Sequence, residues 1–140
     1  MLKNIDPQLN PRLLYLLATM GHGDRVAIVD RNYPAYASGV EVNHLGSLDS
    51  TQALHVVLSV MPLDRFEETP MIFMQPADAG GPLPVHQAAL SAAADAEGRP
   101  IACAWRERHA FYEEVRTATV VIATDESRPW GNILLMKGVL

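Results

Sequence analysis

The stretch from Leu17 to Asp30, LATMGHGDRVAIVD, constrains the fold more than any other, because it turns an apolar helical run directly into a buried strand. Leu13, Leu14, Leu16, Leu17 and Met20 recur at helical offsets. Asn10 and Pro11 supply an N-cap and a first-turn proline. Gly21 is the residue type that best tolerates a left-handed helix closure, so the helix is expected to end at His22. Arg25 to Asp30 then reads as a short strand with Asp30 at its carboxyl end, where open α/β sheets place their ligand crevices.

The rest of the chain alternates in the same way. RNYPAYASG after Asp30 is a turn-rich aromatic loop expected beside that strand end, and Val40, Val42 and His44 alternate as in a short edge strand. Ser50 is expected to cap a second helix carrying Leu54, Val57, Leu58 and Met61, with Pro62 as its stop. Strands follow at Met71 to Met74, Ile101 to Trp105, Thr119 to Thr124 and Ile133 to Met136. Between them lie an alanine-rich helix from Val85 to Ala96, read as peripheral, and a helix from Arg108 to Thr117. This order predicts an α/β fold over residues 1–140, a single-domain three-layer sandwich with a largely parallel sheet flanked by helices.

Composition narrows the function. A net charge of -5 without a Lys/Arg run argues against nucleic acid or an anionic membrane as partner and favours a small neutral ligand. Cys103, the one cysteine, allows no intrachain disulfide and reads as a small core residue in a strand. There is no secretory start and no run of 18 apolar residues, so a cytoplasmic location is expected.

His22, held where helix carbonyls carry partial negative charge, is a candidate acid, and Asp30 is its nearest candidate companion. On spacing alone His22 is equally a polar turn residue, Asp30 a strand-end turn former, and Arg108 a solvated helix-start residue. A cation at a helix N-terminus asks for a carboxylate or ligand beside it. His22, Asp24 and Asp30 could be written as metal ligands, but HExxH and 2-His-1-carboxylate patterns are missing. The GHG turn follows a helix and does not open one, unlike a nucleotide-binding GxGxxG loop. Glu113 and Glu114 read as a solvated helix face, and His44, His55 and His86 as surface or core residues.

Several motifs, taken in order, resemble the L-fucose mutarotase and D-ribose pyranase family, closer to the fucose branch. They are the starting MLK, the MGHGD turn with a strand ending in Asp30, the YPA loop at Tyr33 to Ala35, Arg108 shortly before AFYE, GNILL from Gly131, and KGV from Lys137. The resemblance implies a cofactor-free isomerase that interconverts the α- and β-anomers of a reducing monosaccharide, needing neither metal nor nucleotide. It implies His22 as the catalytic proton donor, with Asp30, Arg108, Trp130, Gly131 and Asn132 binding the sugar. Trp130 stands where that branch has tyrosine, so a hydroxyl that donates and accepts is replaced by an indole that only donates and can stack on a pyranose. His109 stands where phenylalanine is expected; as neighbours on a helix, it and Arg108 point about 100° apart. The alternative is a non-catalytic monosaccharide-binding or regulatory protein that lost turnover with the tyrosine.

With 49% apolar residues and an apolar end at Val139 and Leu140, the chain is expected to be a homo-oligomer. The resemblance implies assemblies up to a decamer, with Trp130 and Asn132 serving a neighbour's His22.

Overall fold

The computed structural model describes residues 1–140. Its elements are α1 (Pro11–Thr19), β1 (Arg25–Val29), a 3-10 turn (Ala35–Ser38), β2 (Val42–Leu45), α2 (Ser50–Leu58), β3 (Met71–Met74), α3 (Pro84–Glu97), β4 (Cys103–Arg106), α4 (Arg108–Val115), β5 (Val120–Thr124) and β6 (Ile133–Met136). The strands form one sheet in the order β2-β5-β1-β6-β3-β4. Pairs β1·β5, β2·β5 and β3·β4 are parallel, while β6 runs antiparallel to both β1 and β3. Five strands therefore point one way and β6 alone points back. Their shared carboxyl edge carries the ends of β1 and β3, and the start of β6.

Side-chain alternation divides the core into two layers, because successive residues of a strand face opposite sides. Val26, Ile28, Phe73, Ile122 and Leu135 join the cluster under α1, α2 and α3. Ala27, Val29, Ile72, Val121 and Leu134 join Phe111 and Val115 of α4 on the other face. That is the expected three-layer α/β sandwich. The alanine-rich α3 buries Val85, His86, Ala89, Ala92 and Ala93, and its small side chains let it lie close along α2.

Local chemistry moves several expected boundaries. α1 stops at Thr19, with Met20 extended (φ -67°, ψ 136°), three residues before His22. Gly21 does not supply the left-handed turn; Gly23 does, at φ +84°. The reason is a cation from far away. Lys137 sends its Nζ to the carbonyls of Leu17 and Met20 at 2.9 and 2.6 Å, satisfying the end of α1 and freeing the next residues to run extended. Asp49, not Ser50, caps α2, exchanging reciprocal hydrogen bonds with Gln52.

Glu114 is not a solvated face residue. It bridges Arg25 of β1 and Arg106 of β4, tying α4 across the sheet. Gly138 is required by close packing, since a Cβ there would lie 2.5 Å from the Leu63 carbonyl oxygen. That close approach lets the Gly138 amide donate to Pro62 and sets residues 62–64 beside residues 136–138.

Candidate functional site

At the carboxyl edge of the sheet, Asp30 and Asn132 lock the end of β1 to the start of β6. Asn132 Oδ1 accepts the Asp30 amide at 2.8 Å, and its Nδ2 donates to Asp30 Oδ2 at 3.1 Å. The reciprocal pair fixes which way the Asn132 amide points. The Asp30 Oδ1 also accepts the Asn32 amide at 3.0 Å. Burial pushes the Asp30 carboxyl above its ordinary value, and these hydrogen bonds offset only part of that. A carboxylate so poised gains from further hydroxyl donors, which is what a polyol ligand brings.

Asp30, Tyr33, Met74, Arg108, Tyr112, Trp130 and Asn132 line a cavity of about 230 Å³ at this edge. A neighbouring cavity of about 440 Å³ is lined by Gln75, Pro76, Glu107 and again Arg108 and Trp130, so these two side chains form the boundary. Arg108 heads α4 and has no carboxylate partner; Glu107 spends its carboxylate on the His109 and Ala110 amides as the helix cap. No carboxylate meets this cation, which stands as an exposed guanidinium on the cavity wall. His109 is not among the lining residues, and its Nε2 lies 3.4 Å from Arg108 Nη2. Sequence reasoning missed Tyr33 and Tyr112, although both sit in the YPA and AFYE motifs. Their rings meet edge to face at 5.3 Å, and neither phenol has a hydrogen-bond partner within the chain. Burial raises the Tyr33 phenol further above its ordinary value, so it stays a donor at any physiological pH.

The loop before β6 is pinned from beneath. Glu126, 2% exposed, accepts from Arg128 at 2.7 and 2.9 Å and from the Ser50 hydroxyl at 2.9 Å. Burial works to raise its pKa, yet the bonds from Arg128 and Ser50 win and hold it at about 2. Gly131 is buried against this anchor: a Cβ would lie 2.9 Å from Glu126 Cγ and 3.2 Å from Val85 Cγ2. Its glycine is thus required by packing as much as by any ligand. A carboxyl that stays ionised to about pH 2 when folded but protonates near 4.5 when unfolded adds stability that is complete above pH 4.5 and lost as pH falls towards 2. Glu126→Gln is expected to cost about 3 kcal/mol at pH 7, a difference from wild type that closes between pH 4.5 and 2 in urea titrations.

His22 lies at the opposite edge. Five residues of β1 separate it from Asp30, and at about 3.3 Å per residue that is roughly 17 Å. Within one chain Asp30 therefore does not touch His22. Asp64 is the carboxylate that meets it, a residue that sequence reasoning missed, because nothing in a spacing of 42 residues joins the two. His22 Nε2 lies 2.9 Å from Asp64 Oδ1, leaving Nδ1 for other partners, and the ring packs on Phe66 at 5.4 Å. Asp64 also accepts the amides of Arg65, Phe66 and Glu67. Burial opposes its ionisation, but the His22 contact and these amides prevail and hold the carboxyl below its usual range. A fixed anion behind a half-exposed imidazole orients the ring. Asp24 is structural, its Oδ2 accepting the Gly21 amide at 2.7 Å. No three His, Cys, Asp or Glu side chains converge on one metal position, and no helix is long and apolar enough to cross a membrane.

This architecture and these motifs match a known family model, that of the RbsD / FucU transport protein family, over residues 3–140. The chain belongs to the RbsD / FucU family. It is 40% identical over 150 residues to the fucose mutarotase of Homo sapiens, covering 99% of this chain and 94% of the relative. The FucU structure from Bifidobacterium longum superposes with a TM-score of 0.92 at 32% identity, covering 99% of each chain. A fucose mutarotase from Streptococcus pneumoniae, in complex with L-fucose, superposes at 0.89 with 28% identity, again over 99% of each chain. Likeness over the whole length to proteins of the fucose branch places the chain nearer that branch of the family, as its motifs implied.

Proposed function

We propose that this protein is a sugar mutarotase that interconverts the α- and β-anomers of L-fucose or a closely related monosaccharide, with its site built from two copies of the chain. The carrying observation is the separation of chemistry on one chain. The carboxyl edge offers Asp30, Asn132, Arg108 and two unpartnered phenols, all suited to binding hydroxyls, and the opposite edge offers the imidazole. Ring opening needs a proton delivered to the ring oxygen and another taken from the anomeric hydroxyl. Protonated His22, backed by Asp64, supplies the first from a neighbouring subunit.

As the C1 to ring-oxygen bond breaks to give the open-chain aldehyde, a water takes the anomeric hydroxyl proton; rotation about C1–C2 exchanges the faces, and reclosure returns both protons. No cofactor takes part. Asp30 accepts from sugar hydroxyls, Arg108 and Asn132 donate, and the Trp130 face covers the apolar side of the ring. The phenols of Tyr33 and Tyr112 restore to the cavity the hydroxyl chemistry that Trp130 lacks. A ring of subunits, up to a decamer, is the assembly that closes every such site.

Saturation transfer between the anomeric proton signals of L-fucose tests the reading. Exchange faster than in buffer, and faster than for D-ribose, is expected. Line broadening of the sugar without faster exchange would replace the enzyme by a binding protein.

A further inference from the structure

His86, on the third residue of α3, is fully buried and touches neither cavity. Its ring lies 4.9 Å from Phe73 and meets Trp105 edge-on at 4.9 Å. Nδ1 accepts the Leu83 amide at 3.0 Å, the role that glutamate or glutamine plays in a capping box. A nitrogen that accepts carries no hydrogen, so the ring hydrogen sits on Nε2, which donates to the Trp130 carbonyl at 2.9 Å. Burial lowers the pKa of this histidine and keeps that tautomer neutral.

Trp130 needs such a hold. It adopts φ +68°, a left-handed conformation that is an outlier for a bulky side chain and persists only where neighbours impose it. Downstream, Gly131 is wedged against Glu126 and Val85, and Asn132 is locked to Asp30. The carbonyl of Trp130 itself is the remaining handle. We propose that His86 is a positioning residue for sugar selection, its Nε2–H holding the Trp130 carbonyl so that the indole stays on the boundary between the two cavities. Without that bond the residue relaxes towards negative φ and its ring leaves the cavity wall. This inference rests on the mutarotase reading. Because the indole contacts the sugar alike before and during ring opening, the effect falls on KM and spares kcat.

The test labels the protein with 5-fluorotryptophan, which gives two fluorine resonances, from Trp105 and Trp130, assigned with Trp105→Phe. His86→Leu removes the donor. His86→Gln keeps both functions, since its amide can accept from Leu83 and donate to Trp130. Leu83→Pro leaves the ring in place but deletes the amide that fixes its tautomer, at a residue whose φ of -81° already suits proline.

In His86→Leu the Trp130 resonance is expected to move and KM for L-fucose to rise about tenfold with kcat changed less than about threefold. His86→Gln restores both, and Leu83→Pro shifts both in the same direction by less. A Trp130 resonance unmoved in His86→Leu and Leu83→Pro, or one that moves without a change in KM, overturns the proposal. So does a fall in kcat alone. If His86→Leu does not fold, Leu83→Pro decides. If the wild type exchanges no sugar, the mutarotase reading fails, while the fluorine resonance still decides whether His86 holds Trp130.

Discussion

Replacing His22 with alanine is expected to slow anomer exchange of L-fucose by about 10²- to 10⁴-fold, the usual worth of a positioned general acid, while leaving the fold and sugar binding intact. The fold survives because the imidazole is 46% exposed and fills no core position. Asp64 loses one partner but keeps three backbone amides, so its buried charge stays satisfied. Binding survives because the groups suited to hydroxyls lie at the other edge of the sheet. The expected signature is thus a fall in kcat with KM nearly unchanged, read by saturation transfer at several sugar concentrations. An alanine variant with wild-type exchange would remove His22 from the proton path and leave the phenols of Tyr33 and Tyr112 as the remaining donors on the cavity wall.

The sequence made some of this legible because certain residues act locally. Asn10 caps α1 through the Leu13 amide three residues on, and the apolar run from Val26 to Val29 has only one place to go in an α/β sheet. Asp30 was readable as the end of a buried strand at the edge where crevices form, and it lines the cavity there. What escaped depends on contacts between distant segments. The end of α1 is set by Lys137, more than a hundred residues later, so a glycine rule applied to Gly21 misplaces it by three residues. Asp64 follows an ordinary helix-stopping proline and gains its role only when residues 136–138 carry the Pro62 to Asp64 segment beneath His22. Glu114 carries a charge expected in water and finds two arginines across the sheet instead. The KGV and GNILL motifs were visible as patterns, but their physical content is close packing: Lys137 caps, Gly138 fits against a backbone, and Gly131 fits against Glu126.

Co-expression of His22→Ala with Asp30→Ala is expected to recover activity that neither variant has alone, because each proposed site takes its acid from one chain and its sugar-binding edge from another. The geometry leaves little room for a one-chain alternative: β1 is rigid, central in the sheet and bonded on both sides to β5 and β6, so its two ends cannot fold together. In a randomly mixed homo-oligomer, about a quarter of the sites combine an intact His22 with an intact Asp30, and recovery should approach that fraction of wild-type exchange. A chain carrying both substitutions, co-expressed with wild type, gives the same quarter of intact sites by random mixing, which calibrates the measurement. If the two residues served one site within a chain, the single-variant mixture would stay at the background of the separate variants, while the double-variant mixture would give about half. The two mixtures contain equal numbers of altered side chains, so protein dose and general destabilisation cancel, and only the distribution of His22 and Asp30 between chains remains to set the difference.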